Sequence, residues 1–198
     1  RSFGFDTIAM EDVTDLGEFP KVDEYKGHAF VVAHGVSAAD PTRLGTSEYN
    51  AFIGADFLVT FHREDLPEFA WVRERIQEPE WLSGSGPDQV FARIAEVGAG
   101  RFEPLTDGLE ERVLDTATRA LAGDHTVVGE VQALRRDSLL LRKIVGPLRD
   151  TFMRLGSEDL AGVGERARLR FQSVRDNYYR IAESLDTSQA VLGAVLET

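Results

Sequence analysis

Cysteine is absent from this chain of 198 residues, which excludes a disulfide framework, a thiolate nucleophile and any cysteine-based zinc site. That absence fits a cytosolic setting. Basic residues are scarce beside acidic ones, 22 against 34, giving a formal net charge of -12. Nucleic-acid binding needs clustered Lys and Arg, so no nucleic-acid partner is expected. The same acidity repels anionic lipid headgroups and concentrates cations, which suits a divalent metal. Long apolar runs are missing as well. None approaches the roughly 18 residues of a membrane span, and Arg1-Ser2-Phe3-Gly4-Phe5-Asp6 lacks the layout of a signal peptide.

Catalytic signatures are also lacking. There is no Gly-rich phosphate loop before a helix, no GxSxG elbow and no HExxH. The four histidines share no helical spacing. His28 and His34 project from one face of a strand but stand about 20 Å apart, too far to share an ion. His62 reads as a solvated strand end. No nucleophile, base and orienting group converge, so the chain is not expected to be an enzyme.

What is present is organisation in two styles. His28 to His34 is a short apolar run, followed after a loop through Ala39-Asp40-Pro41 and Gly45 by a second run, Glu48 to Ile53. A tight turn at Gly54-Ala55-Asp56 leads to a third, Phe57 to Arg63, and together they read as a small antiparallel meander. Leu66-Pro67 opens a short helix that Pro79 closes. Gly84-Ser85-Gly86-Pro87-Asp88 then forms the one clear linker. Beyond it the chain reads as helix to its end: a first segment from Asp88 to Ala122, bent at Pro104; a second through Val127, Val131, Leu134, Leu141, Val145, Leu148, Phe152 and Leu155, kinked at Gly146-Pro147; and a third from Glu165.

In that third helix Ala167, Phe171, Val174, Tyr178, Ile181, Leu185, Leu192 and Val195 recur at steps of four and three with only Ser188 interrupting, and Glu197-Thr198 brings no Gly, Asn or Pro stop. The pattern is that of a chain cut inside a helix. Helices of about 30 residues would each run about 45 Å, and a sustained seam keeps one narrow face on its partner. Either an ordinary three-helix bundle caps the sheet, or a helical lever or stalk joins a head. The expected fold class is α+β (mixed α/β): a partial antiparallel sheet flanked by helices, then long antiparallel helices and a stalk helix. Its expected parts are a sheet-containing head (1–83), two long helices (84–160) and a truncated stalk helix (161–198).

Acidic groups cluster early: Glu11-Asp12, Asp15, Glu18 and Asp23-Glu24. They suit helix capping and solubility, or a weak hydrated divalent site, because magnesium keeps most of its waters and needs only one or two carboxylates.

Met10-Glu11-Asp12, then Pro20-Lys21, Tyr25 and a strand near Phe30, resembles the ED…PK…Y…F segment of CorA-type divalent-cation transporters. The stretch Leu134 to Lys143 with Gly146-Pro147-Leu148-Arg149 is similar to that family's second long helix. Phe57 to His62 followed by Val72 to Ile76, and Arg180 to Thr187, match in the same order. The resemblance implies the cytoplasmic regulatory domain of a homopentameric magnesium or cobalt channel on the inner face of the cell membrane. The membrane itself would be met only through C-terminal helices absent here. It further implies that magnesium bound between neighbouring heads holds the pore closed. The family's acidic pair falls on Glu11 and Asp12, and a third acidic position on Glu96. The stalk aspartate expected across the interface is replaced by Ser173, with Gln172 before it and Asp176 one turn later on the same face, able to offer its carboxylate instead. Cobalt and zinc are the other ions considered. A ZntB-like zinc transporter and a soluble coiled-coil adaptor are the alternative readings.

Overall fold

A computed structural model describes residues 3–15, 17–37, 45–78, 81 and 85–196. Helix α1 (Thr7–Thr14) precedes four strands, β1 (Lys21–Tyr25), β2 (His28–Val36), β3 (Thr46–Gly54) and β4 (Leu58–His62). After these come α2 (Pro67–Arg75), α3 (Pro87–Gly100), α4 (Phe102–Leu121), a 3-10 turn His125–Val127, α5 (Val128–Ser157) and α6 (Glu165–Leu196). The sheet is antiparallel throughout, in the order β1-β2-β3-β4. The α+β class expected from the sequence is what the structure shows.

Alternation sorts the strands into two faces. Ala29, Val31, Ala33, Tyr49, Ala51 and Ile53 face the helices and join the main core with Phe91, Phe152 and Phe171. Phe30, Val32 and Phe52 face the other way, where Ala9 of α1 covers them together with Phe5 and Val13. Strand β2 is therefore buried on both sides over most of its length, which explains its unbroken apolar reading.

Four details differ from expectation. Lys21–Tyr25 is a fourth strand rather than an acidic lead-in, paired to β2 from Lys21↔Val32 to Tyr25↔His28. It carries one buried residue, Val22, among charged neighbours, so its pattern is faint. Glu11 and Asp12 lie within α1, a helix that the apolar pattern does not announce. The segment from Asp88 to Ala122 is two helices that meet at Arg101, whereas Pro104 sits in the first turn of α4, where its missing N–H is tolerated. Helix α5 runs through Gly146-Pro147 as one element. The expected stop at Pro79, the Ala39-Asp40-Pro41 loop, the linker's Gly84 and the final Glu197-Thr198 lie outside the described residues.

The long helices pack as their seams foretell. Phe171, Val174, Tyr178, Ile181, Leu185 and Leu192 of α6 are all buried against α5, α3 and α4, each such side chain contributing about 2 kcal/mol. The two serines that break the apolar repeats, Ser138 and Ser188, are buried too. Ser138 donates to the Leu185 carbonyl at 3.4 Å, so a polar seam residue is served by the facing helix. At the other end of this antiparallel pair Gly156 lets the backbones close in: a Cβ there would stand 3.1 Å from the Gln172 amide nitrogen. The Gln172 side chain donates to the Gly156 carbonyl at 2.9 Å.

Candidate functional site

The acidic pair sits on α1, whose N-cap Asp6 accepts from the Ile8 N–H at 2.9 Å. Ala9 and Val13, one turn apart, face the sheet and leave Glu11 exposed and Asp12 half-buried. Asp12 accepts a hydrogen bond from Lys21 Nζ at 2.8 Å, across to the start of β1. The same ammonium lies 3.3 Å from Glu18 and 4.0 Å from Asp23. Burial disfavours its charge, yet the hydrogen bonds and charges of Asp12 and Glu18 outweigh that and hold Lys21 above its usual range. The Tyr25 hydroxyl is pushed up by burial and then by Asp23, Asp6 and Asp12. One lysine thus sits within a field that stays negative.

Glu96, on α3, is held by two arginines. Arg93 Nη1 donates to it at 3.0 Å from the preceding turn, and Arg170 Nη1 donates at 3.0 Å from α6. This carboxylate is a strut between helices, engaged on both sides by guanidinium groups. Asp176 is exposed on α6, with Oδ1 engaged by Arg175 at 2.6 Å, and Ser173 is exposed one turn before it. Among the described residues no group of three or more His, Asp or Glu side chains is arranged to hold a metal ion. Glu11 and Asp12 are hard oxygen donors able to take a hydrated magnesium ion through one or two bonds, with further ligands coming from elsewhere.

Two acidic groups, one fully buried and one half-buried, were not anticipated from the sequence. Glu68, in the first turn of α2, is fully buried, and neither carboxylate oxygen has a well-formed hydrogen bond. Burial pushes its carboxyl up, against weaker opposite pulls from its own backbone N–H and the Arg101 charge. The signal that could have exposed it is a pair of distant glycines, since Cβ atoms at Gly35 and Gly98 would lie 2.0 and 3.4 Å from Glu68 Oε1. Glu48 is the second. Its Oε2 accepts from the Gly17 and Glu18 N–H groups at 3.1 Å each, which fixes the segment between α1 and β1 onto β3. His34 is buried beside it, with Nε2 3.0 Å from the Glu18 carbonyl. Its pKa is pushed down by burial, against weaker upward pulls from that carbonyl and the Glu48 charge. His28 is buried among the rings of Phe5, Tyr25 and Phe52. Neither histidine belongs to a metal cluster among the described residues.

The chain is 30% identical over 188 residues to YfjQ of Bacillus subtilis (strain 168), a protein provisionally described as a metal ion transporter; the match covers 94% of this chain and 58% of that protein. The chain thus spans a little over half the length of this relative. Among solved structures, the soluble domain of CorA from Methanocaldococcus jannaschii superposes with a TM-score of 0.78 at 16% identity, covering 98% of this chain and 78% of that one. The ZntB cytoplasmic domain from Vibrio parahaemolyticus superposes with a TM-score of 0.82 at 10% identity, covering 98% and 77%. These two likenesses establish the fold. The pattern of the family described as "CorA-like Mg2+ transporter protein" matches residues 1–198, and the chain belongs to that family.

Proposed function

We propose that this chain is the cytoplasmic, gate-controlling part of a homopentameric magnesium or cobalt channel, and that it senses divalent cations where neighbouring copies meet. The observation that carries the reading is the family match along all 198 residues, on a chain whose α+β head runs into a helix of 32 residues. Glu11 and Asp12 supply two carboxylates per copy, too few for a closed site, so the remaining ligands come from a neighbour or from water. Asp176 is the neighbour's candidate donor, because it is exposed and stands on the face of α6 that Ser173 shares. Glu96 acts in this reading through its arginines, by tying α3 to α6. Membrane helices beyond Thr198 would place the chain on the cytoplasmic side of the inner membrane. Its role is regulatory binding rather than catalysis. No observation favours the adaptor reading.

Thermal melting with a magnesium titration tests the proposal. A ligand that binds only the folded state at ten times its Kd stabilises by about 1.4 kcal/mol. Millimolar magnesium should raise the Tm of the wild-type chain, and the increment should vanish in Asp12→Ala. Comparing increments rather than absolute Tm removes the effect of losing the Lys21 ion pair. No increment in wild type, or an equal one in the variant, would sink the reading. Parallel titrations with cobalt and zinc rank the ions, and a clear preference for zinc would favour the ZntB-like alternative.

A further inference from the structure

Helices α4 and α5 are oppositely charged in spite of the acidic total. Helix α4 carries five acidic residues against two basic, whereas α5 carries six basic against three acidic. Each also exposes a leucine-bearing stripe. On α5, Gln132, Arg136, Leu139, Leu140 and Lys143 are exposed, with Leu139 43% and Leu140 51% accessible. They line a groove of about 410 Å³. On α4, Asp107, Glu111, Leu114, Asp115 and Thr118 are exposed, with Leu114 62% accessible. Both stripes follow the spacing i, i+4, i+7, i+8, i+11, which keeps one helix face in view.

We infer that these stripes are the two halves of a head-to-tail contact, in which the basic α5 groove of one copy receives the acidic α4 stripe and Leu114 of the next. Helix α6 packs along both α5 and α4, and each stripe lies on the side of its helix opposite the buried seam. A contact between unlike patches repeats, and it closes into a ring when the rotation allows. The inference rests on the reading of this chain as one subunit of a homo-oligomer.

Height supports the pairing. Both helices leave one turn near Asp124, and in a ring every copy stands at the same level. At 1.5 Å per residue, Asp107 lies about 26 Å from that turn and Lys143 about 28 Å, while Glu111 lies about 20 Å and Arg136 about 18 Å. Opposite charges therefore meet level with one another. Leu114 starts about 15 Å from the turn and Leu139 about 23 Å, but side chains tilt toward their helix N-terminus. The tilt carries Asp107, Glu111 and Leu114 away from the turn and Arg136, Leu139 and Lys143 toward it; the two leucines converge, and Glu111 and Arg136 draw apart slightly but stay within reach through their long side chains.

The native absence of cysteine makes cross-linking a clean test. The chain carrying Glu111→Cys is mixed with the chain carrying Arg136→Cys at the highest soluble concentration and oxidised. A disulfide-linked dimer should form in the mixture and in neither single variant alone, and the double variant should give a ladder of higher species. Lys143→Glu on the Arg136→Cys copy should cut the yield severalfold, and Asp107→Lys on the Glu111→Cys copy should restore it. Cross-linking within one single variant, or a mixture no different from its controls, would overturn the contact. So would binding of the Arg136 stripe to phosphatidylserine vesicles without any cross-link, which would assign the groove to lipid. Magnesium-dependent stabilisation kept without cross-linking would overturn this contact and leave the cation reading standing.

Discussion

Glu68 makes demands that no nearby residue announces. Its carboxyl is buried without good partners, and Gly35 and Gly98 supply the room it takes. Because burial raises its pKa in the folded chain above the unfolded value, the folded state holds the proton more tightly. Its contribution is therefore fully present below the unfolded pKa and is lost as pH rises through the folded one. Glu68→Gln should leave the Tm at acidic pH close to wild type and raise it progressively above wild type toward alkaline pH, measured by melts across a pH series. Gly35→Ala should destabilise by about 1 to 3 kcal/mol in a denaturant titration, because the added methyl would stand 2.0 Å from Oε1 and the buried Glu68 side chain must swing aside to admit it.

Periodicity made some elements readable from the sequence and hid others. The seams of α5 and α6 were legible because every third or fourth residue is apolar and buried, serines included as interruptions. Strands β2 and β3 were legible as apolar runs. Strand β1 was not, since Val22 alone among its five residues is buried, and α1 was not, since Ala9 is its one buried residue. Partnerships across the chain, such as Lys21 with Asp12 or Arg170 with Glu96, leave no local trace. The acidic pair was legible as residues, but the lysine that holds Asp12 was not. The link between α5 and α6 is also specified by contact rather than pattern. Gly162 has φ +80°, and a Cβ there would lie 2.3 Å from the Ile53 carbonyl oxygen. Gly162→Ala should cost about 2 to 3 kcal/mol by denaturant titration, combining a disfavoured backbone conformation with a clash against β3.

At the scale of the whole molecule, charge is distributed unevenly. The total is -12, yet α5 is basic, so association between copies should depend on salt. If α4 and α5 meet between copies, raising ionic strength from about 0.01 M to 1 M shortens the screening length from about 30 Å to about 3 Å. The sedimentation coefficient measured over that range should fall toward the monomer value. A coefficient that stays constant or rises with salt would point instead to an apolar contact. If magnesium binds at the acidic α1 edge through Asp12, as proposed, its effect should persist at moderate salt, whereas mere screening would fade.

Helix α6 spans 32 residues, about 48 Å, and its first turns are tied to α3 through Arg170 and Glu96. Geometry then gives it mechanical gain. A rotation of about 5° about that anchor sweeps the helix near Leu192, about 33 Å away, through about 3 Å, whereas the residues beside Glu96 move by well under 1 Å. A change too small to alter any contact at the head is thereby delivered at the other end as a displacement about as wide as a water molecule.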